Sequence, residues 1–368
     1  MLEQVISNKA GWTRVAFGDV VRLSKERTKD PEAEGYERVV GLEHIEPGDL
    51  RIRRWADIAD GTTFTSVFKS GQVLFGKRRA YQRKVAVADF AGVCSGDIYV
   101  LKPSSDALMP ELLPFICQTD AFFDHAVGTS AGSLSPRTNW KGLADFEFLL
   151  PPIQEQARLV EVFVQAEQLW EHLRTAIYSA GVLRESVFAN SIAPDHIPRE
   201  EINGLVKFSS GKLIKVSKLP KSPDKAHGIP VIGGNGIAAY TTEPLPEVPN
   251  PCIAVGRVGE YCGTVHYIPQ PCWVSDNALF VKSHSDRLRM RYLELCLRSL
   301  RLNNHSTGGA QPLMTQAIIN RLKIPVPSLE KQDTIILTDG DLDASIEQLN
   351  GRWSATDQIK RQLLNECF

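Results

Sequence analysis

Basic and aromatic side chains are interleaved in a short segment that could bind a polyanion. The segment runs from Lys77 to Lys84 (KRRAYQRK), and residues 51–84 around it hold nine basic side chains against two acidic ones. An arginine guanidinium is a planar fork that can hold a phosphate or a guanine edge through two hydrogen bonds. The segment therefore predicts binding of a phosphate-rich ligand such as a nucleic acid, with an ordinary solvated surface as the alternative.

The residue sets that catalysis would need are missing from the sequence. No G-x-x-x-x-G-K-[ST] phosphate loop occurs, which argues against an NTPase or a helicase. The glycine-rich Gly233–Gly236 lacks the dinucleotide-binding spacing, so we interpret it as a turn or a DNA-facing loop. The seven cysteines show no zinc-ligand spacing and are predicted to be buried, reduced thiols, without a bound metal. A free-standing enzyme is accordingly the least favoured class.

The basic segment belongs to an internal duplication whose two copies each fill one half of the chain. An ungapped alignment places Val73–Tyr81 on Ile253–Tyr261, and therefore Lys77 on Arg257. Further along, with a slightly shorter offset, Phe148–Val160 aligns with Ile324–Ile336. The chain is thus predicted to contain two related globular halves.

Polar segments and short apolar runs complete the two halves. Gly128–Asn139 and Asn304–Thr315 are corresponding polar loops, each placed before the last strand of its half. Apolar runs such as Val73–Phe75 and Ile253–Val255 are bounded by turn-forming residues, as strands are. We predict a mixed α+β class with two strand-rich domains.

A heptad pattern follows each half and predicts a long helix that packs along its length. If residues 152–190 are one helix, a rise of about 1.5 Å per residue makes it roughly 58 Å long. Packing of each helix on its own half is the alternative, but length and duplication favour an antiparallel coiled coil. Asp339 and Lys360 are charged residues at would-be seam positions. The residues predicted to pack are Leu159, Phe163, Trp170, Leu173, Ile177, Leu342, Ile346, Leu349 and Trp353.

Charge and hydropathy place limits on the class of protein. The chain has 368 residues, a net charge of −1 and 43% hydrophobic residues, which is ordinary globular composition. It has neither a long apolar segment nor a secretory signal, so we expect a cytoplasmic protein with no membrane contact. The predicted domains are a first globular half at 1–150, a helix at 151–192, a second globular half at 193–324 and a helix at 325–368.

The sequence resembles the specificity (S) subunits of type I restriction-modification systems. The resemblance rests on the opening Gly11–Val20, on the half-closing segments Leu150–Gln156 and Val326–Gln332, and on the long helix after each. Gly128–Leu150 is also similar to the end of a target recognition domain. The likeness extends over nearly the whole chain.

This resemblance implies a non-catalytic subunit that reads a bipartite target in double-stranded DNA, one part with each half. Two methyltransferase subunits would clasp the helices and methylate adenine with S-adenosylmethionine, and restriction subunits would add ATP- and Mg-dependent cleavage. No cofactor is expected on this chain. Two alternatives remain: the specificity subunit of an orphan adenine methyltransferase or other phage-defence complex, and a non-catalytic protein-interaction scaffold.

Candidate DNA contacts follow from the basic segments and the duplication. We predict base or near-base contacts from Arg78, Arg79, Tyr81, Arg83, Asn235, Arg257, Tyr261 and Gln311. We predict phosphate contacts from Arg51, Arg53, Arg54, Lys77, Lys84, Lys212 and Lys215.

Overall fold

A computed structural model describes residues 9–193, 196–308 and 311–368. The chain forms two compact units. Unit 1 contains the residues up to Arg174 together with Gly351–Phe368, and unit 2 contains Thr175–Asn350. In both units a run of mainly antiparallel strands is followed by helices, so the predicted α+β class is confirmed.

The described residues of unit 1 form two four-stranded sheets and two short strand pairs. Its sheet orders are β2-β9-β6-β7 and β4-β3-β8-β5, with β3 parallel to β8, and the pairs are β1-β12 and β10-β11. Its strands are β1 (Thr13–Ala16), β2 (Val21–Leu23), β3 (Arg38–Val40), β4 (Ala56–Asp57), β5 (Ser66–Phe68), β6 (Val73–Gly76), β7 (Val85–Val87), β8 (Gly92–Cys94), β9 (Ile98–Pro103), β10 (Ser130–Ala131), β11 (Arg137–Thr138) and β12 (Glu147–Leu150). Its short helices are α1 (Phe17–Val20), α2 (Leu113–Ile116), α3 (Asp120–Gly128) and α4 (Trp140–Ala144).

Unit 2 repeats this plan. Its sheet orders are β14-β20-β17-β18 and β16-β15-β19, with β15 parallel to β19, and its strand pair is β13-β21. Its strands are β13 (Arg199–Glu201), β14 (Val206–Ser210), β15 (Ile229–Gly233), β16 (Gly236–Thr241), β17 (Cys252–Gly256), β18 (Val265–Ile268), β19 (Trp273–Val274), β20 (Ala278–His284) and β21 (Lys323–Pro325). Its short helices are α6 (Met290–Ser299) and α7 (Gln316–Asn320). The long helices α5 (Ile153–Ile192) and α8 (Leu329–Cys367) contribute residues to both units.

The strand registers confirm the duplication residue by residue. In unit 1, Gly76 of β6 lies opposite Ile98 of β9, and in unit 2 Gly256 of β17 lies opposite Ala278 of β20. The offset that aligns β6 with β17 in the sequence relates Gly76 to Gly256 and also relates Ile98 to Ala278. Each unit has its own apolar core, with Phe75 fully buried in the first and Val255 in the second.

A buried glutamine closes each half in the same way. The Nε2 of Gln156 donates to the carbonyls of Ala107 (2.7 Å) and Pro151 (2.9 Å), and its Oε1 accepts from the amide of Met109 (2.8 Å). In unit 2, Gln332 makes the three equivalent bonds, to Arg287, Pro327 and Arg289, at 2.7, 3.0 and 2.8 Å. This glutamine ties the first turn of each long helix to its globular half.

Replacing Gln332 with leucine is expected to lower the free energy of unfolding by about 1–3 kcal/mol. The reason is that the carbonyls of Arg287 and Pro327 and the amide of Arg289 then lose the hydrogen bonds that this buried side chain makes to them. Chemical denaturation of the purified chain measures the change. Gln165→Leu is the matched control, since Gln165 lies on an exposed part of α5 and makes one long bond, 3.5 Å, to Glu161. Equal stability of the Gln332→Leu variant and the wild type would contradict the conclusion that Gln332 ties α8 to its globular half.

The long helices pack against each other within each unit. In unit 1, the rings of Trp170 and Trp353 have centroids 5.4 Å apart, and the Nζ of Lys360 lies 2.8 Å from Glu167. Residue numbers rise along α5 as they fall along α8, so the helices are antiparallel, as predicted. Every residue of the predicted packing set is buried or half-buried.

Charged residues at the seam are paired across it. Lys360 is 2% exposed and its ammonium also lies 5.3 Å from the centroid of the Trp170 ring. In unit 2, Arg184 donates from Nε and Nη2 to the two carboxylate oxygens of Asp339 (2.7 and 2.8 Å) and also binds Asp343. The offset that aligns Gln156 with Gln332 also relates Arg184 to Lys360 and Glu167 to Asp343. The duplication has therefore preserved the same ion pair in both units.

The cysteines fit the prediction of reduced, buried thiols. All seven are free and buried. Burial raises the pKa of Cys94 and Cys296 to about 12 and that of Cys367 to about 11, so these thiols stay protonated at neutral pH. Within the described part of the chain, none of the helices is long and apolar enough to cross a membrane.

Candidate nucleic-acid interface

The basic segment of unit 1 is a turn with an unusual backbone. It leaves β6 at Gly76 and enters β7 at Val85, and it contains Arg79 and Arg83 at φ values of 54° and 55°. Residues with a side chain adopt this left-handed conformation at a cost of roughly 1–3 kcal/mol, and such residues cluster at functional sites. The turn therefore holds its arginines in a conformation that ordinary packing does not favour.

The polar loop predicted at Gly128–Asn139 packs directly on this turn. The amide of Arg79 donates to the carbonyl of Pro136 (2.7 Å), and the amide of Thr138 donates to the carbonyl of Lys77 (3.0 Å). Two segments that are distant in sequence thus form one surface. We name it the unit 1 reading surface, defined by residues 77–84 and 128–139.

Unit 2 builds the same surface at the corresponding positions. The amide of Gly259 donates to the carbonyl of Pro312 (3.1 Å), and the amide of Met314 donates to the carbonyl of Arg257 (2.8 Å). These bonds are the counterparts of the two in unit 1, because the duplication aligns both their donors and their acceptors. Residues 257–261 with the described part of 304–315 define the unit 2 reading surface.

The glycine-rich hairpin of unit 2 abuts its reading surface. A Cβ placed on Gly234 would lie 3.7 Å from the Cβ of Tyr261, and the Gly234 carbonyl is 3.0 Å from Nε2 of His266. Asn235 at the hairpin tip is exposed, and Tyr261 is partly exposed. The Nε of Arg257 is buried and, among the described residues, has no acceptor. The structure therefore places the hairpin that carries Asn235 beside the segment that carries Arg257 and Tyr261.

Other predicted contacts in unit 1 are already engaged within the protein. Arg53 binds Asp49 (2.5 Å from its Nε) and Glu171, and its hydrogen bonds with these acids, that with Glu171 above all, raise its pKa. Arg83 binds Asp120 (2.5 Å). These placements favour structural roles for Arg53 and Arg83.

The remaining predicted contacts vary in their freedom to meet a ligand. The Nζ of Lys84 donates to the carbonyl of Leu42 (2.6 Å), whereas Tyr81 is 56% exposed. The pairs Arg54–Glu46 and Lys212–Glu247 are solvent-accessible. Arg51 is exposed, with Nη1 3.8 Å from Glu171, and the Nζ of Lys77 lies 4.8 Å from the Tyr99 ring centroid. Lys215 and Gln311 are exposed.

Sequence reasoning missed one acidic residue beside the unit 1 reading surface. Asp97, from the turn before β9, accepts from Arg137 at 2.7 and 3.2 Å and from Arg78 at 3.4 Å. These arginines, Arg137 first, lower the pKa of Asp97, so the carboxylate stays ionised. The one signal in the sequence is that the duplication aligns Asp97 with Asn277, so the two halves differ in charge at this position.

Comparison with known families agrees with the resemblance found in the sequence. Residues 200–352 match the family described as the type I restriction modification DNA specificity domain. Among curated relatives, the EcoDI specificity subunit of Escherichia coli is 27% identical over 161 residues, covering 40% of this chain and 35% of that protein. The EcoprrI specificity subunit of Escherichia coli is 25% identical over 173 residues, covering 46% of this chain and 42% of that protein. The matched parts thus span less than half the length of these relatives.

Solved structures share the fold over nearly the whole chain. The type I restriction-modification S subunit from M. genitalium has a TM-score of 0.60 and 15% identity, covering 97% of this chain and 96% of its own. A chain from a structure concerning assembly and conformational transition of the type I R-M system has a TM-score of 0.62 and 18% identity, covering 97% of each chain. Residues 200–352 are therefore similar to the type I restriction modification DNA specificity domain, and the predicted resemblance of the chain to the specificity subunits of type I restriction-modification systems is confirmed.

Proposed function

We propose that this chain is the sequence-specific DNA-binding subunit of a type I restriction-modification complex and reads a bipartite target in double-stranded DNA. The observation that carries the proposal is the reading surface built twice, with the same backbone hydrogen bonds at Arg79 and Gly259 and at Lys77 and Arg257. Two equivalent surfaces with different side chains suit a target made of two different half-sites. The family match and the structural neighbours support the same role.

Base contacts are assigned to the side chains on the two reading surfaces and the hairpin beside the second. In unit 1 they are Arg78, Arg79 and Tyr81, and in unit 2 they are Asn235, Arg257, Tyr261 and Gln311. The exposed basic residues around them, such as Arg51, Lys212 and Lys215, would meet phosphates and supply a salt-sensitive part of the affinity. Base contacts would then supply the specificity.

The long helices are assigned to spacing and to protein partners. Residues 325–368 hold four basic and eight acidic side chains, a composition that suits a protein partner better than DNA. We propose that methyltransferase subunits bind the helices and carry out adenine methylation with S-adenosylmethionine. Restriction subunits would add ATP-dependent cleavage, and this chain would carry no catalysis itself.

Base-resolved mapping of methyladenine in the source strain, with and without the gene, tests the proposal. We expect one split motif that disappears when the gene is deleted and returns with a plasmid copy. A deletion that leaves every methylated motif in place would contradict a role in methylation specificity. A motif that depends on the gene without any associated cleavage of unmodified DNA would leave the DNA-reading role intact and remove the restriction partner.

A further inference from the structure

The acid Asp97 lies beside two arginines of the unit 1 reading surface, Arg78 and Arg137. Asp97 holds Arg137 through two hydrogen bonds, from Nε to Oδ1 (2.7 Å) and from Nη2 to Oδ2 (3.2 Å). Arg78 approaches the same carboxylate and donates from Nη2 to the Oγ of Ser135 (3.0 Å). Because arginines occupy both oxygens of Asp97, this carboxylate is placed to orient its neighbours rather than to accept from a base.

The bonds to Asp97 use one edge of the Arg137 guanidinium and leave another edge available. A guanidinium has five N–H donors, and Asp97 takes one from Nε and one from Nη2. The two hydrogens of Nη1 and the second hydrogen of Nη2 remain, apart from a 3.5 Å approach of Nη1 to the carbonyl of Ser135. The Arg137 side chain is 48% exposed. The Nη1–Nη2 edge, which Asp97 does not use, is therefore a pre-oriented pair of donors on a half-exposed side chain, and Ser135 accepts from Nη1 only at 3.5 Å.

Such a pair of donors matches guanine better than the other bases. In the major groove, guanine presents two neighbouring acceptors, O6 and N7, and arginine binds both at once. Adenine replaces one of these acceptors with a donor, so the fork is mismatched there. Fixing the side chain before binding also reduces the conformational entropy lost on binding.

Unit 2 lacks this arrangement at every corresponding position. Asn277 takes the place of Asp97, Val258 that of Arg78 and Leu313 that of Arg137. The bridges Arg78–Arg137 and Val258–Leu313 show that the backbones correspond. The common fold therefore does not need the ion pair, since the same backbone forms without it.

From this geometry we propose that Arg137, oriented by Asp97, is a specificity-determining residue that reads a guanine in the half-site bound by unit 1. The inference rests on the proposed function and names the base that one of its surfaces recognises. The alternative is that the ion pair between Asp97 and Arg137 only holds the polar loop in place and reads no base. Partly exposed pairs of that kind contribute little to stability, so the two roles predict different results.

Methyladenine mapping of chromosomal variants distinguishes the guanine-reading role of Arg137 from a role in holding the loop. The variants are Arg137→Ala, Arg137→Lys, which keeps the charge and loses the fork, and Asp97→Asn, which introduces the residue of unit 2. Arg14→Ala is the control, because Arg14 forms an exposed ion pair with Glu147 (3.1 Å) in the same unit, away from residues 77–84 and 128–139. Each variant is compared with the wild type and with the gene deletion.

We expect a guanine at one position of one half-site in the wild-type motif. Discrimination at that position should fall about 5- to 150-fold in both Arg137 variants, and by less in Asp97→Asn. The other half-site, and the whole motif in Arg14→Ala, should be unchanged. Full guanine discrimination in both Arg137 variants, or a motif without guanine in either half-site, would overturn the inference. A normal motif in Arg137→Lys, with methylation lost in Arg137→Ala, would also overturn it.

A second measurement does not depend on how well the variants fold. The wild-type complex is titrated with duplexes in which single guanines are replaced by 7-deazaguanine, which lacks the N7 acceptor. Binding should weaken at least about fivefold at one guanine. Equal binding of every substituted duplex would overturn the inference. If deletion of the gene removes no methylated motif, the proposed function itself fails, a result distinct from all of these.

Discussion

Replacing Arg184 with alanine is expected to lower the free energy of unfolding by about 3–5 kcal/mol, the range for removing one partner of a buried ion pair. Two hydrogen bonds join Arg184 to Asp339, whose side chain is 6% exposed. The hydrogen bonding with Asp339, first among the causes, raises the pKa of Arg184, so the arginine is charged at any accessible pH. Its removal leaves Asp339 and Asp343 without this cation.

Chemical denaturation of the purified chain, followed by circular dichroism, measures this loss. Arg301→Ala is the matched control, since Arg301 pairs at 3.3 Å with Glu185, the next residue of α5, but with its own side chain 71% exposed. We expect a change of at most about 1 kcal/mol there. If Arg184→Ala and Arg301→Ala lost the same small amount of stability, the pair of Arg184 with Asp339 would not contribute as a buried ion pair, and the prediction would be wrong. Asp339→Asn in the Arg184→Ala background should recover part of the loss.

Replacing Arg257 with alanine is expected to relax recognition of one half-site and leave the other intact. Arg257 stands where Lys77 stands in unit 1, and its carbonyl holds the polar loop in place. Loss of its guanidinium should reduce base discrimination about 5- to 150-fold at the position it reads. The backbone bonds of the reading surface remain available to the variant, because they do not involve the side chain.

Methyladenine mapping of the Arg257→Ala strain measures the change at every genomic site. Arg287→Ala is a suitable control, because Arg287 pairs with Glu200 (2.6 Å) at an exposed place in the same unit. Unchanged methylation at all sites in Arg257→Ala would refute the contact. Relaxation in the half-site affected by Arg137→Ala would instead assign both residues to one recognition event.

Much of the fold could be predicted because it depends on local patterns. The heptads that place Trp170 and Trp353 at the seam are periodic, and the duplication aligns Gln156 with Gln332. The charged exceptions Asp339 and Lys360 were visible as departures from the pattern. Their pairing with Arg184 and Glu167 could not be predicted, because the packing of two distant helices decides which charges meet.

The site was harder to predict, since side-chain partners there come from distant segments. The run Lys77–Lys84 indicates a basic surface, yet nothing in it shows that Arg83 is held by Asp120. Asp97 was overlooked because a lone acid beside a turn has no distinctive signal in one sequence. The role of Asp97 depends on its contact with Arg137, which lies much later in the chain and is brought beside it only by the fold.

The membership of Gly351–Phe368 in unit 1 has a consequence for the order of events during synthesis. Phe368 contacts Trp12 and Phe148, and Asn365 bonds to Asp120, so the first unit is completed only after Thr175–Asn350 of unit 2 have been synthesised. While the second half is being translated, the α5 face that Leu364 will cover stays open to water. The nascent chain must therefore keep this apolar face from aggregating until residues 351–368 have been synthesised, and chaperones that bind such faces would act during that interval.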